Sequence, residues 1–160
     1  MFAYDVDGDG DNDIITSLNA HGWGLSWFEN MKGEDGKITF REHRIMGSTA
    51  EESVHRVAFS QLHALSLVDV DGDGLKDIVT GKTFKAHDYK DVGSHEPAVV
   101  YWFKLTRKDG KVDFVPHLID GDSGIGRQMV TVDINGDGLV DLVIGNKKGT
   151  FVILQVSGKK

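Results

Sequence analysis

Three nine-residue stretches carry most of the chemistry available to this chain. Asp5-Val-Asp-Gly-Asp-Gly-Asp-Asn-Asp13 returns as Asp69-Val-Asp-Gly-Asp-Gly-Leu-Lys-Asp77 and again as Asp133-Ile-Asn-Gly-Asp-Gly-Leu-Val-Asp141. Carboxylates at alternate positions of a tight loop are hard oxygen donors, and Ca²⁺ takes about six to eight such oxygens at roughly 2.3–2.6 Å. The donors of the first copy are Asp5, Asp7, Asp9, the carbonyl of Asp11, and Asp13. Those of the second are Asp69, Asp71, Asp73, the carbonyl of Leu75, and Asp77. Those of the third are Asp133, Asn135, Asp137, the carbonyl of Leu139, and Asp141. Gly10, Gly74 and Gly138 stand where the chain must turn sharply round the ion. Carboxylates crowded in this way repel one another unless a cation joins them. The expectation is therefore about three bound Ca²⁺ ions, one per loop.

An EF-hand or a dockerin would use similar loops. An EF-hand needs Glu at the twelfth loop position and a helix after it. That position is Thr16, Thr80 or Ile144, inside β-branched runs, so both alternatives fail.

A second set of reactive side chains is less regular. His21, His55, His63, His87 and His95 lie outside the repeated strand positions, with Arg127, Trp23, Asp88, Glu96 and Gln128 near them in the expected topology. Such a group has the chemistry to hold a transition metal or to move protons. It equally has the chemistry to hold a sugar by hydrogen bonds and ring stacking. His21, His63, His87 and Arg127 are the candidates for catalysis. His43 and His117 occupy equivalent strand positions and read as repeat architecture. No phosphate loop, nucleophile elbow or His-Glu-x-x-His motif is present, which leans the reading away from an enzyme.

The elements that must position these residues follow from the repeat. The Asp loops start 64 residues apart both times, at 5, 69 and 133. Between them, Ser26-Trp-Phe28 matches Val100-Tyr-Trp102, and Phe40, His43 and Ile45 match Phe114, His117 and Ile119, at an offset of 74. Short β-branched and aromatic runs separated by Gly turns predict four strands per repeat. In the middle copy these are 64–69, 77–82, 99–105 and 112–119. Ser48–Phe59 is expected as a short helix, with Ser48 and Glu51 as a capping box. Four antiparallel strands repeated at this period describe propeller blades. The expected fold is all-β, a single segment over 1–160 of about two and a half blades: 1–48, 60–121 and an incomplete 126–156. Missing blades would come from the rest of a longer chain or from other copies.

In such blades the first and third turns share one end of the sheet. The Asp hairpins therefore lie at one end. The loops 18–24, 83–97 and 146–149 and the connectors 46–62 and 120–126, unequal in length, lie at the other. Variable loops on a regular scaffold are the usual seat of binding or catalysis.

Composition narrows the partners. The formal charge of −7 arises largely in the three loops, which hold 12 of the 25 Asp and Glu residues, so it reads as ligand chemistry rather than a steering field. No basic patch supports nucleic-acid binding. No apolar run approaches the roughly 20 residues of a membrane span, and the first residues do not form a signal peptide. With no Cys there is neither a disulfide nor a thiolate zinc site.

The stretches Leu67–Gly81 and Val130–Gly145 resemble FG-GAP (VCBS-type) repeats. That family includes the propeller of integrin α subunits and many secreted bacterial proteins and lectins. The resemblance rests on the Asp loops, since the Phe-Gly and Gly-Ala-Pro signatures are absent. It implies a ring of about seven blades, with Ca²⁺ in the first hairpin of each, in an extracellular or periplasmic setting. The expected function, from the repeat architecture and the lack of a catalytic signature, is a calcium-binding scaffold for a carbohydrate or protein ligand. The alternative is a metal-assisted lyase or dehydratase, or another carbohydrate-active enzyme, with its histidine site opposite the calcium loops.

Overall fold

The computed structural model describes residues 1–33 and 35–158. Strands form where short β-branched and aromatic runs lie between Gly-rich turns. The first sheet contains β1 (Phe2–Tyr4), β2 (Asp13–Ser17), β3 (Leu25–Lys32) and β4 (Ile38–Met46). The second contains β5 (Leu65–Val68), β6 (Asp77–Gly81), β7 (Val100–Lys108) and β8 (Lys111–Asp120). The third contains β9 (Met129–Val132), β10 (Asp141–Asn146) and β11 (Gly149–Ile153). Within each sheet, neighbours in sequence are antiparallel neighbours in space. This is the all-β, blade-like architecture expected, without a closed ring.

Period-two alternation decides how the sheets stack. In β6, Ile78 faces the first sheet and joins Ile15, Leu25, Trp27, Phe103 and Leu105 in one core cluster. Its neighbour Val79 faces the third sheet and joins Val100, Ile125, Leu142 and Ile144 in the other. Every residue of β6 is buried, as befits a strand with a sheet on each side. The outer sheets each turn one face away: Ile38 and Phe40 in β4, and Val130, Val132 and Val152 in β9 and β11, are exposed.

The β7–β8 hairpin closes at the Asp-Gly turn. Lys108 pairs with Lys111, leaving only Asp109 and Gly110 to turn. Both take positive φ, 52° and 71°, the left-handed pair that a type I′ hairpin needs. Both strands therefore run to the turn, beyond the expected ends at 105 and 112.

The expected helix over Ser48–Phe59 does not form. The segment is a series of turns, and the described residues contain no α-helix, only a 3-10 turn at Ala86–Tyr89. Ser48 does meet a glutamate, but it is Glu52: the Ser48 N–H and hydroxyl donate to the Glu52 carboxylate at 2.9 and 2.6 Å. Glu52 is thereby committed to closing a loop rather than capping a helix, and its carboxyl is held below the ordinary range by the Ser48 hydroxyl. Among the described residues no helix is long and apolar enough to cross a membrane.

Candidate metal sites

The Asp hairpins join β1 to β2, β5 to β6 and β9 to β10, all at one end of the sheets. Each is organised by its first Asp. Gly8 and Gly10 donate N–H to Asp5 at 2.7 and 3.3 Å. Gly72 and Gly74 donate to Asp69 at 2.8 and 2.9 Å, and Gly136 and Gly138 to Asp133 at 2.7 and 2.8 Å. Both glycines of each loop sit at positive φ, which aims their N–H groups inward.

The last Asp of each loop does different work. Asp13, Asp77 and Asp141 are 1%, 0% and 0% exposed. Each accepts one N–H from its own hairpin and one from further along the chain. For Asp77 these are Val70 and Leu105, at 3.1 and 2.8 Å. For Asp13 they are Val6 and Asn30, both at 2.8 Å. For Asp141 they are Ile134 and Gln155, at 3.1 and 2.9 Å. These carboxylates lock the hairpin to the rest of its sheet.

The residues fit a calcium ion. One oxygen from each of Asp5, Asp7 and Asp13, and likewise from Asp69, Asp71 and Asp77, lies within 4.8 Å of the other two. Two ligands on opposite sides of Ca²⁺ stand about 4.8 Å apart, so each triad spans one ion. Burial, then the nearby carboxylates of Asp13, Asp9 and Glu29, push the Asp7 carboxyl up, against an N–H from Asp9. Burial, with Asp71 nearby, pushes Asp77 up in the same way.

The fifth-position carboxylates stand apart from these triads. Asp9 accepts the Asp11 N–H at 2.8 Å, and Asp137 accepts the Leu139 N–H at 2.9 Å. Asp73 accepts the Leu75 N–H at 2.9 Å and an ion pair from Lys104 at 2.8 Å. Lys104 also contacts Asp71, and the pair, Asp71 first, holds the ammonium well above its ordinary range. In the third loop Asn135 replaces a carboxylate, and its amide donates to Asp137 at 3.0 Å.

The opposite end gathers the histidines. His21, between β2 and β3, and His87, between β6 and β7, bring their Nδ1 atoms to 2.9 Å. Asp91 Oδ2 lies 3.2 Å from the first and 2.9 Å from the second. The two rings stack at 4.3 Å between centroids, tilted by 9°. His63 stands edge-on to His21 at 5.0 Å, and its Nε2 is buried with no hydrogen-bond partner. Burial, then His21, His87 and Arg127, push the His63 imidazole down. Arg127 shares with His63 and His87 the lining of an open groove of about 960 Å³. Three of the four candidates thus meet, and the fourth borders the same groove.

Beneath them Lys82 is 1% exposed. Its ammonium donates to Gln61 Oε1 at 3.2 Å, Thr83 O at 3.4 Å and Ser94 O at 3.3 Å, pinning both ends of the long loop. Burial pushes this amine down.

The remaining histidines divide. His95 stacks on Tyr89 at 4.9 Å. His43 and His117 stack on Trp27 and Trp102, at 4.2 and 4.6 Å, as equivalent parts of the repeat. His55 was expected among the loops but pairs with Asp113 at 2.8 Å, early in β8 and close to the β7–β8 turn. The connector folds back in turns instead of a helix, and this carries His55 toward the end that holds the Asp hairpins.

A family model described as FG-GAP-like repeat matches residues 5–80 and 69–144. The chain belongs to this FG-GAP-like repeat family. Each matched unit opens on the first Asp of one loop and closes in the strand after the next. No curated protein and no solved structure matches the chain.

Three contacts in this FG-GAP-like chain escaped the sequence. Asp91 was overlooked among many loop acids, although its spacing of four from His87 was a usable signal. Lys104 lies in β7, 31 residues beyond Asp73, and only the fold returns it to the hairpin. The third concerns the carbonyl of the second loop residue. Arg107 Nε donates to Val6 O at 2.8 Å, and Gln155 Nε2 donates to Val70 O at 3.2 Å, each from the following sheet.

Proposed function

We propose that this chain is a calcium-binding segment of a β-propeller, working in an extracellular or periplasmic setting and presenting its irregular loop end to a carbohydrate or protein ligand. One observation carries the reading. Two hairpins in equivalent places each bring three carboxylate oxygens within the span of a single Ca²⁺, on a loop frame that the third hairpin repeats. The groove beside His63 and Arg127, mixed polar and apolar and open at one side, supports ligand uptake at the other end. The exposed apolar faces of β4 and of β9 and β11 are where further blades, from a longer chain or from other copies, would stack.

Metal analysis and calorimetry test this directly. After dialysis against millimolar Ca²⁺ the chain should hold about three ions, and Asp69→Ala with Asp71→Ala should remove one. A chain that takes up no Ca²⁺ under these conditions overturns the reading. A glycan array probed with and without Ca²⁺ then tests the ligand.

The second reading, a metal-assisted lyase or dehydratase acting on carbohydrate, is favoured by the meeting of His21, His87 and Asp91. It predicts turnover of a polysaccharide to unsaturated products, lost in His87→Ala.

A further inference from the structure

We propose that His21, His87 and Asp91 bind a first-row transition-metal dication, of which Zn²⁺ is the test case, at the junction of the first two sheets. The residues come from two blades, 66 and 70 positions apart, and meet only because those blades stack.

Proton bookkeeping gives the first argument. The three atoms His21 Nδ1, His87 Nδ1 and Asp91 Oδ2 form a triangle with sides of 2.9, 3.2 and 2.9 Å. A neutral imidazole nitrogen carries either a proton or a lone pair. If both Nδ1 atoms carry protons, both can donate to Asp91, but the 2.9 Å contact between the nitrogens is then no hydrogen bond. If one carries a lone pair, that lone pair faces the carboxylate or its neighbour's donor leaves the carboxylate. If both rings are charged, two cations stack at 4.3 Å. With Asp91 ionised, no assignment makes hydrogen bonds of all three contacts, whereas one cation shared by three lone pairs accounts for them all.

Size gives the second argument. Ligands about 2.0–2.2 Å from a tetrahedral Zn²⁺ stand roughly 3.3 Å apart. The observed triangle is within a few tenths of an ångström of that spacing. Binding would tilt one exposed ring out of the stack, so that both in-plane lone pairs meet at the ion. Two imidazoles and one carboxylate form a donor set that suits zinc or iron(II) rather than calcium.

The surroundings agree. Three protein ligands leave a corner open, and His63, with its unpartnered Nε2, stands beside it at the mouth of the groove. His87 is held inward by backbone that side chains rarely adopt: φ is 50° at Lys85, 45° at His87, 53° at Asp88 and 63° at Tyr89. Such residues persist only where the surroundings fix them. Lys82 does so from below, through Thr83 and Ser94.

The site is independent of the calcium cages, and its test keeps the two apart. The full chain, saturated with Ca²⁺, is titrated with Zn²⁺ by calorimetry and with Co²⁺ by visible absorption. One site is expected, with the intense d–d bands of a low-coordinate Co²⁺ ion. His21→Ala, His87→Ala and Asp91→Ala should each weaken it at least tenfold, while Asp71→Ala leaves it unchanged. His21→Gln and His87→Gln, at exposed positions, guard against misfolding, checked by circular dichroism. A titration with no saturable site at about 100 µM metal overturns the proposal. So does binding that survives the His21→Ala, His87→Ala double substitution, or binding that is lost with Asp71→Ala.

Discussion

The two ends of these sheets are built on different principles. At the Asp-hairpin end, three hairpins repeat one frame, and each last Asp spends both oxygens on backbone N–H groups. At the loop end the three within-sheet connections differ in length, and the fixed points are side chains from distant segments. The buried Lys82 grips Gln61, Thr83 and Ser94, and His21 meets His87 and Asp91. A repeat needs identical blade edges at one end to set sheet spacing, and that leaves the other end free to vary. Local sequence writes the first end; only tertiary folding assembles the second.

The comparison is broken most forcefully by removing calcium. A cage filled at a hundredfold excess over its dissociation constant adds about 2.7 kcal/mol, and about 1 kcal/mol moves Tm by roughly 2–4 °C in a chain of this size. Excess EGTA should therefore lower Tm by on the order of 10 °C or more in a thermal melt. An unmoved Tm would mean that the hairpins stand without ions.

Next comes the buried anchor. Asp77→Ala leaves the Val70 and Leu105 N–H groups without an acceptor in the interior, a cost of about 2–4 kcal/mol in urea unfolding. At the loop end, Lys90→Ala removes an exposed side chain at ordinary backbone angles and should stay within about 0.5 kcal/mol. Equal effects from the two would erase the distinction drawn here.

Lys82→Met sharpens the comparison from the other side. It strips three acceptors of their donor at a cost of roughly 1–3 kcal/mol. The loss should appear locally, as faster hydrogen exchange across residues 83–97, with the β5–β6 hairpin still protected. Uniform loss of protection would show that the loop end is not a separate unit.

The smallest effect concerns Lys104. Its ammonium contacts Asp71 and Asp73, where an arriving ion must displace it. Lys104→Gln should tighten Ca²⁺ at the middle hairpin by roughly two- to fivefold, the scale of a partly exposed ion pair. Unchanged affinity would mean the lysine swings aside freely.

Most of the fold was legible because strand signals here are local. Asp109-Gly110 specifies its own hairpin, and Ile78-Val79 announces a strand buried on both faces. The cage residues were legible for the same reason, since their donors lie within nine consecutive positions. Ser48–Phe59 misled because a Ser followed by glutamates signals a helix start or a closed loop equally well, and Glu52 settled it through two bonds to Ser48. The gathering of His21, His63 and His87 at one end followed from strand order, but their pairing did not. Nor did Asp91, whose role depends on a left-handed run of backbone that no residue type there dictates.

The bonds from Arg107 to Val6 and from Gln155 to Val70 both run backward, from a later sheet to an earlier hairpin. Among the described residues no side chain does the same for Ile134. The seam thus has a direction, like roof tiles laid so that each course fastens the one before. As the chain leaves the ribosome, each of the first two hairpins waits for the sheet that follows it before it is clamped.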